Sequence, residues 1–205
     1  MVGGSLVREV GREVTRVVRE HPHIHIDWTV VQNDALDRVT MPFSIYSFGQ
    51  LKHKILSLQD PFDRQYCLCR WFRYWCARND EECFVEAGAV PNPDVRDRRS
   101  DFTLLGIPFD LKSTRMPDGA DKKDREGLLK WFYTNQSSGV RFGYQNRLFL
   151  VHNASTREEE NLKRVDFGGK GVVIRKYVDA MGRGGGRFVR LEIGGAEVIT
   201  DLIVF

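Results

Sequence analysis

Residues 99–114 limit the possible folds of this chain more than any other segment does. They contain two apolar-rich runs, 99–105 and 107–114, with Gly106 alone between them. Two such runs separated by a glycine are typical of two antiparallel strands joined by a tight turn. The sequence therefore predicts a β-hairpin here, although it does not define the type of turn.

The segments around this hairpin predict an α/β fold. Capping residues and the spacing of apolar side chains predict four helices, over residues 5–20 (with Ser5 as N-cap), 47–58, 62–79 and 121–135. Runs rich in β-branched residues predict strands at 23–31, 83–90 and 147–152, and then three C-terminal strands, GVVIRKYV, RFVRLEI and EVITDLIVF. We therefore expect a mixed central sheet flanked by helices, with an N-terminal helical extension and a C-terminal β-meander.

The composition excludes several classes of protein. With 41% apolar and 29% charged residues, the 205-residue chain has the composition of a soluble globular protein. No apolar run approaches the roughly 18 residues that a membrane span needs. The charged N-terminal segment lacks the apolar stretch of a secretory signal, so we expect a cytoplasmic protein with no membrane partner. A net charge of +3 is too small to indicate a polyanionic partner by itself.

Three charged side chains of the hairpin form the most informative motif in the sequence. Asp101 lies at the start of the first run, and Asp110 and Lys112 lie two residues apart in the second. Alternate side chains of a strand share a face, so Asp110 and Lys112 point the same way, and strand pairing brings Asp101 alongside Asp110. Hard oxygen ligands suit Mg²⁺, which activates water for phosphodiester hydrolysis. Lys112 can orient that water or stabilise charge in the transition state.

Asp101, followed nine residues later by Asp110-Leu111-Lys112, resembles the PD-(D/E)xK nuclease superfamily, which includes restriction endonucleases and archaeal Holliday junction resolvases. The resemblance implies a restriction-endonuclease-like core, in which a helix, three mostly antiparallel strands, a second helix and a further strand follow one another. It also implies that Asp101, Asp110 and the carbonyl group of Leu111 bind Mg²⁺, for which Mn²⁺ can substitute. Lys112 then takes the role of the catalytic lysine.

The function implied by this resemblance is a metal-dependent endonuclease that hydrolyses phosphodiester bonds of DNA, with RNA left open as a substrate. The chain would consist of an N-terminal extension (1–60), a nuclease core (61–155) and C-terminal strands (156–205). A homodimer is implied by the resemblance alone, because many members cut both strands as dimers. Two alternatives stay open: a non-catalytic nucleic-acid-binding module on the same fold, and a structural or interaction protein whose carboxylates belong to a surface network.

The sequence departs from the family pattern in two ways. Ser100 stands where the family has a nominal proline, while Pro93-Asp94 spells that dipeptide within a turn. Many members also supply a glutamate from the first core helix, and residues 64–79 contain no acidic residue. The candidates for this additional ligand are Asp63, Glu86, Glu13 and Glu20.

Basic and polar residues near the motif are candidates for contacts with nucleic acid. The set consists of arginines just before Asp101 and polar residues after the second core helix: Arg96, Arg98, Arg99, Gln136 and Arg141. A solvated loop explains the arginines equally well, and capping or loop hydrogen bonds explain Gln136 and Arg141.

Three further groups favour a structural interpretation. Aromatic residues within 71–75 alternate with arginines and could stack on bases, but burial in the core is the favoured interpretation. Core packing is likewise favoured over a metal cluster for the cysteines, Cys67, Cys69, Cys76 and Cys83. His21, His23 and His25 would share one side of a strand, where an exposed edge is favoured over a metal site.

Overall fold

The computed structural model describes residues 3–94, 97, 99–121, 123–135 and 145–205. The chain forms two compact units, one consisting of residues 1–82 with 156–167 and the other of residues 83–155 with 168–205. The prediction of a mixed α/β fold is confirmed.

The first unit is helical. Its helices are α1 (Gly4–Glu20), α2 (Asp34–Thr40), a 3-10 turn (Pro42–Ser44), α3 (Phe48–Ser57), the greater part of α4 (Pro61–Glu86), and α6 (Arg157–Val165). Aromatic residues of α4 fill its core: Trp71, Phe72 and Trp75 are fully buried. Both indole nitrogens donate hydrogen bonds of 2.9 Å to the Ile45 carbonyl oxygen. The structural interpretation of these aromatics is therefore confirmed.

The second unit contains a six-stranded sheet among the described residues, in the order β1-β2-β3-β4-β6-β5. The strands are β1 (Val90–Pro91), β2 (Phe102–Leu104), β3 (Ile107–Arg115), β4 (Arg147–His152), β5 (Val189–Ile193) and β6 (Ala196–Val204). Strands β1, β2 and β3 pair in antiparallel fashion, while β4 is parallel to both β3 and β6. The remaining helices are α5 (Arg125–Asn135) and α7 (Phe167–Gly182). From α4 to β4 the order is a helix, three antiparallel strands, a helix and a strand.

Helix α5 packs on one face of this sheet. Phe132 stacks on Phe149 with ring centroids 5.1 Å apart, and Leu129 and Leu202 belong to the same buried cluster. The helix begins just after Asp124, whose carboxylate accepts a 2.8 Å hydrogen bond from Gly127 N and so satisfies a free amide of the first turn.

Two predicted strands are helical, because burial at helical spacing outweighs the β-branched composition. GVVIRKYV lies in α7, where Lys170, Ile174 and Val178 are buried at intervals of four residues. The first half of CFVEAGAV extends α4 to Glu86. Gly88, with φ of +107°, ends that helix while Ala89 N bonds back to Phe84 O. Of the residues predicted to form the strand 83–90, Val90 lies in a strand, β1.

The predicted strand 23–31 is also wrong. The segment is irregular because Asp27 Oδ1 accepts a 2.8 Å hydrogen bond from Thr29 N, which turns the backbone. His21, His23 and His25 are exposed, as expected. Helix α6 was not predicted from the sequence, although Thr156 caps it by accepting a hydrogen bond from Glu159 N.

Candidate functional site

A two-residue turn sets the register of the hairpin that carries the motif. Leu105 and Gly106 both have positive φ, of 50° and 80°, which matches the turn type that suits the twist of paired strands. Phe102 consequently lies opposite Phe109, and Asp101 N donates a 2.8 Å hydrogen bond to the Phe109 carbonyl oxygen. Asp101 directly precedes β2, and Asp110 directly follows Phe109 in β3.

The Asp101 carboxylate lies against the backbone of β3. Its Oδ2 accepts a 2.7 Å hydrogen bond from the amide nitrogen of Leu111, the residue between Asp110 and Lys112. The amide and carbonyl groups of one strand residue point to the same side. The Leu111 carbonyl oxygen is therefore directed toward the side on which the Asp101 carboxylate lies.

Asp110 is a buried carboxylate held by two cations. Its side chain is 10% exposed, Oδ1 lies 2.5 Å from Lys112 Nζ, and Oδ2 accepts a 3.2 Å hydrogen bond from Arg147 Nε. A buried carboxylate is costly unless it is paired, and both of its oxygens have charged partners here. With Asp101, the group contains two formal negative and two formal positive charges.

Arg147 was not among the candidates derived from the sequence. It is the first residue of β4 and lies opposite Asp110 in the parallel register between β3 and β4. An arginine directly before the apolar run LFLV of this strand is the signal that could have found it. Neighbouring Tyr133 is 4% exposed, and this burial raises the pKa of its phenol to about 12.

Among the candidates for contacts with nucleic acid, Arg99 alone lies within the described residues. Arg99 is exposed, two residues before Asp101, and its amide nitrogen donates to Asp97 Oδ1 at 2.9 Å. The others lie outside the described residues: Arg96, Arg98, Gln136 and Arg141.

The candidates for an additional acidic ligand belong to different units. Glu86 is exposed in the last turn of α4 and lies in the same unit as the hairpin, whereas Asp63, Glu13 and Glu20 lie in the helical unit. Glu13 accepts hydrogen bonds from Arg16 and from Phe48 N. Hydrogen bonds from Arg16 lower its pKa.

The donors around Asp110 fit a hard divalent cation. Mg²⁺ is usually held by one or two carboxylates with several waters and substrate phosphates, rather than by a complete protein cage. Asp101, Asp110 and the Leu111 carbonyl can supply that number of oxygens. Within the described part of the chain, no group of three or more His, Cys, Asp and Glu residues could hold a metal ion.

The cysteines do not contribute to this site. All four are buried on α4 and form no disulfide, and burial raises the pKa of the Cys67 thiol to about 11. Such thiols are poor nucleophiles near neutral pH. Core packing is their observed role.

Comparison of the chain with models of protein families, with curated proteins and with solved structures gives no match. The resemblance to the PD-(D/E)xK superfamily therefore stays a prediction. Across the described residues, no helix has both the length and the apolar character that crossing a membrane requires.

Proposed function

We propose that this chain is a metal-dependent endonuclease that hydrolyses phosphodiester bonds of DNA, with Asp101, Asp110 and Lys112 as its catalytic residues. One observation carries the proposal. The Asp101 carboxylate accepts its hydrogen bond from the amide of Leu111, and so meets the residue that separates Asp110 from Lys112. Two carboxylates and an ammonium group thus converge where two neighbouring strands meet.

The order of elements gives a second line of support. The resemblance implies a helix, three mostly antiparallel strands, a helix and a further strand, and α4 to β4 follow that order. This arrangement brings Asp101, which directly precedes β2, to residues of β3, and residues of β3 to Arg147 of β4. We extend the proposal to the cofactor: Asp101, Asp110 and the Leu111 carbonyl would hold Mg²⁺, with Mn²⁺ as a substitute.

The metal, when bound, supplies Lewis-acid activation of water and of the scissile phosphate. The residues of the chain supply orientation and charge. Lys112 is 37% exposed, so its ammonium group can reach a substrate phosphate or the attacking water and stabilise developing negative charge. We extend the proposal to Arg99, which is exposed two residues before Asp101, as a contact for a phosphate further along the strand.

A cleavage assay with matched variants tests the proposal. Supercoiled, linear and branched DNA, and RNA, are incubated with the protein in Mg²⁺ or Mn²⁺, with EDTA as the metal-free control. We expect Asp110→Asn and Lys112→Met each to lower the rate of DNA cleavage by about 100-fold or more. Arg190→Met is the matched control, because Arg190 forms an exposed ion pair with Glu197 in the same unit. It should cleave like wild type.

Two outcomes would reject the proposal. Equal cleavage by wild type, Asp110→Asn and Lys112→Met would identify a contaminating nuclease. Cleavage of RNA alone would move the substrate class from DNA to RNA while leaving the catalytic residues intact.

A second candidate function is supported by the ion pairs of Asp110. Because both of its oxygens already have cationic partners, the same residues can form a neutral network in a nucleic-acid-binding module without catalysis. DNA binding with no cleavage in either metal would favour this second function.

A further inference from the structure

Arg147 and Asp110 are joined by backbone register as well as by charge. They lie opposite one another in the parallel pairing of β3 with β4, which brings their side chains to the same face. Arg147 Nε donates to Asp110 Oδ2 at 3.2 Å, and the two side chains are 12% and 10% exposed. The contact is thus largely removed from water, where a charge-assisted hydrogen bond is strongest.

An aromatic ring fixes the arginine side chain. The guanidinium carbon of Arg147 lies 5.1 Å from the centroid of the Tyr133 ring, within range of a cation–π contact. Tyr133 is itself anchored, because its hydroxyl group donates a 2.7 Å hydrogen bond to the Gln145 carbonyl oxygen. Its ring also packs edge-on against Phe149.

The backbone of Arg147 is anchored as well. Its carbonyl oxygen accepts a 2.8 Å hydrogen bond from Thr200 Oγ1 in β6, and Thr200 is fully buried. Contacts from α5, β3 and β6 therefore hold Arg147 in one position. A planar guanidinium restrained in this way loses little further entropy when it binds a carboxylate.

Lys112, the other partner of Asp110, is more exposed than Arg147. Its side chain is 37% exposed, and its ammonium group contacts Oδ1 at 2.5 Å. A lysine is a flexible chain with a strongly hydrated head group, so water can replace Asp110 around the ammonium group of Lys112. Lys112 can therefore leave Asp110 at small cost, whereas Arg147 cannot.

Resting on the function proposed above, we infer that Arg147 is a positioning residue, which holds Oδ2 of Asp110 in place while Lys112 releases Oδ1 to an incoming divalent cation. The ammonium group of Lys112 contacts Oδ1 of Asp110, the oxygen that would hold the divalent cation. Once released, the same ammonium group is free to act on the substrate. Without Arg147, the carboxylate could turn both oxygens toward Lys112, and the cation would meet a stronger competitor.

Mn²⁺ binding measured by electron paramagnetic resonance, with no DNA present, separates the roles of the two cations. Lys112→Met removes the competitor, so the Kd for Mn²⁺ should fall about tenfold. Arg147→Met removes the restraint, so the Kd should rise about tenfold, although the variant also removes a positive charge. If both variants bind Mn²⁺ more tightly than wild type, Arg147 is merely a second competing cation and the inference is wrong.

A conservative variant covers the possibility that Arg147→Met does not fold, which circular dichroism and thermal melting would reveal. Arg147→Lys keeps the charge but loses the planar group that stacks on Tyr133. Its Kd should lie between those of wild type and Arg147→Met. The matched control Arg190→Met should bind Mn²⁺ as wild type does.

A crystal structure with Mn²⁺ gives an independent readout. We expect Lys112 Nζ to have left Asp110 Oδ1, and Arg147 Nε to remain within hydrogen-bond distance of Oδ2. The inference is wrong if Arg147 leaves Asp110 while Lys112 stays bound to it. It is also wrong if neither wild type nor Lys112→Met binds Mn²⁺. Opposite changes in Kd without any DNA cleavage would instead reject the proposed function and leave the positioning role intact.

Discussion

The carboxylate of Asp101 hydrogen-bonds the amide nitrogen of Leu111 at 2.7 Å, so a side chain takes the place that a strand neighbour would fill along β3. Backbone pairing between β2 and β3 extends to Phe109. The Asp101 side chain adds one further hydrogen bond to β3 beyond that point. Asp101 consequently has a structural role besides its proposed catalytic one, and the two can be separated.

Replacement of Asp101 distinguishes these roles. Asp101→Asn keeps an oxygen that can accept from Leu111 N, so we expect a loss in the free energy of unfolding of less than about 1 kcal/mol. Asp101→Ala removes the acceptor and should cost about 1–2 kcal/mol. Both should abolish metal-dependent cleavage. Urea unfolding and the DNA assay provide the two readouts, and full activity of Asp101→Asn would show that the charge is not needed.

The hairpin turn offers a stabilising substitution. Leu105 is 52% exposed and has a φ of 50°, a conformation that costs a leucine energy and that asparagine adopts readily. We expect Leu105→Asn to raise the free energy of unfolding by about 0.5–1 kcal/mol. Leu105→Val, with a β-branched side chain, should lower it. A shift of both urea midpoints in the same direction would contradict this account.

Two glycines in helices should respond to alanine with opposite signs. A Cβ at Gly11 in α1 would lie 2.2 Å from Asn79 Oδ1, whereas at Gly49 in α3 its nearest such neighbour is 3.8 Å away. Gly11→Ala should therefore cost about 1–3 kcal/mol through overpacking. Gly49→Ala should gain up to about 1 kcal/mol from helix propensity. Thermal melting of the two variants side by side checks the prediction, which fails if both alanines stabilise.

The buried phenol of Tyr133 predicts a loss of stability at alkaline pH. Its pKa is raised to about 12 by burial, while a tyrosine in an unfolded chain titrates near 10. Between these values the native state binds more protons than the unfolded state, so stability falls as pH rises. The slope should approach about 1.4 kcal/mol per pH unit for this group.

Comparison with Tyr133→Phe isolates that contribution from other groups that titrate at alkaline pH. The difference in the free energy of unfolding between wild type and variant should stay constant below pH 10 and shrink from pH 10 to about 11.5. A constant difference over the whole range would mean that the phenol is not shielded from water.

The sequence could predict the core of the candidate site because the relationships are local. Asp110 and Lys112 share a face through the two-residue period of a strand, and Asp101 joins them through a hairpin with a turn of two residues. Arg147 could not be found in this way, since its approach to Asp110 depends on the register of two parallel strands. The intervening residues, 116–146, leave that register undetermined.

The errors in the fold have a related cause. The β-branched residues of GVVIRKYV favour a strand locally, but Ile174 and Val178 are buried one helical turn apart. When the composition of a segment suits both a helix and a strand, its packing against the rest of the fold decides which of the two forms. The missed helix α6, by contrast, had a local signal in Thr156 and Glu159, which form a capping pair.

The discontinuous division of the chain has a consequence for its synthesis. Residues 156–167 belong to the helical unit, although they follow β4 of the sheet unit. Thr15 near the N-terminus donates a 2.7 Å hydrogen bond to the Val165 carbonyl oxygen, and Val165 is part of the same buried core. The chain must therefore be synthesised as far as Val165 before the first unit can complete its interior. Until then, an apolar surface of the earlier helices stays exposed to solvent. By that point four of the six described strands, β1 to β4, have already been synthesised.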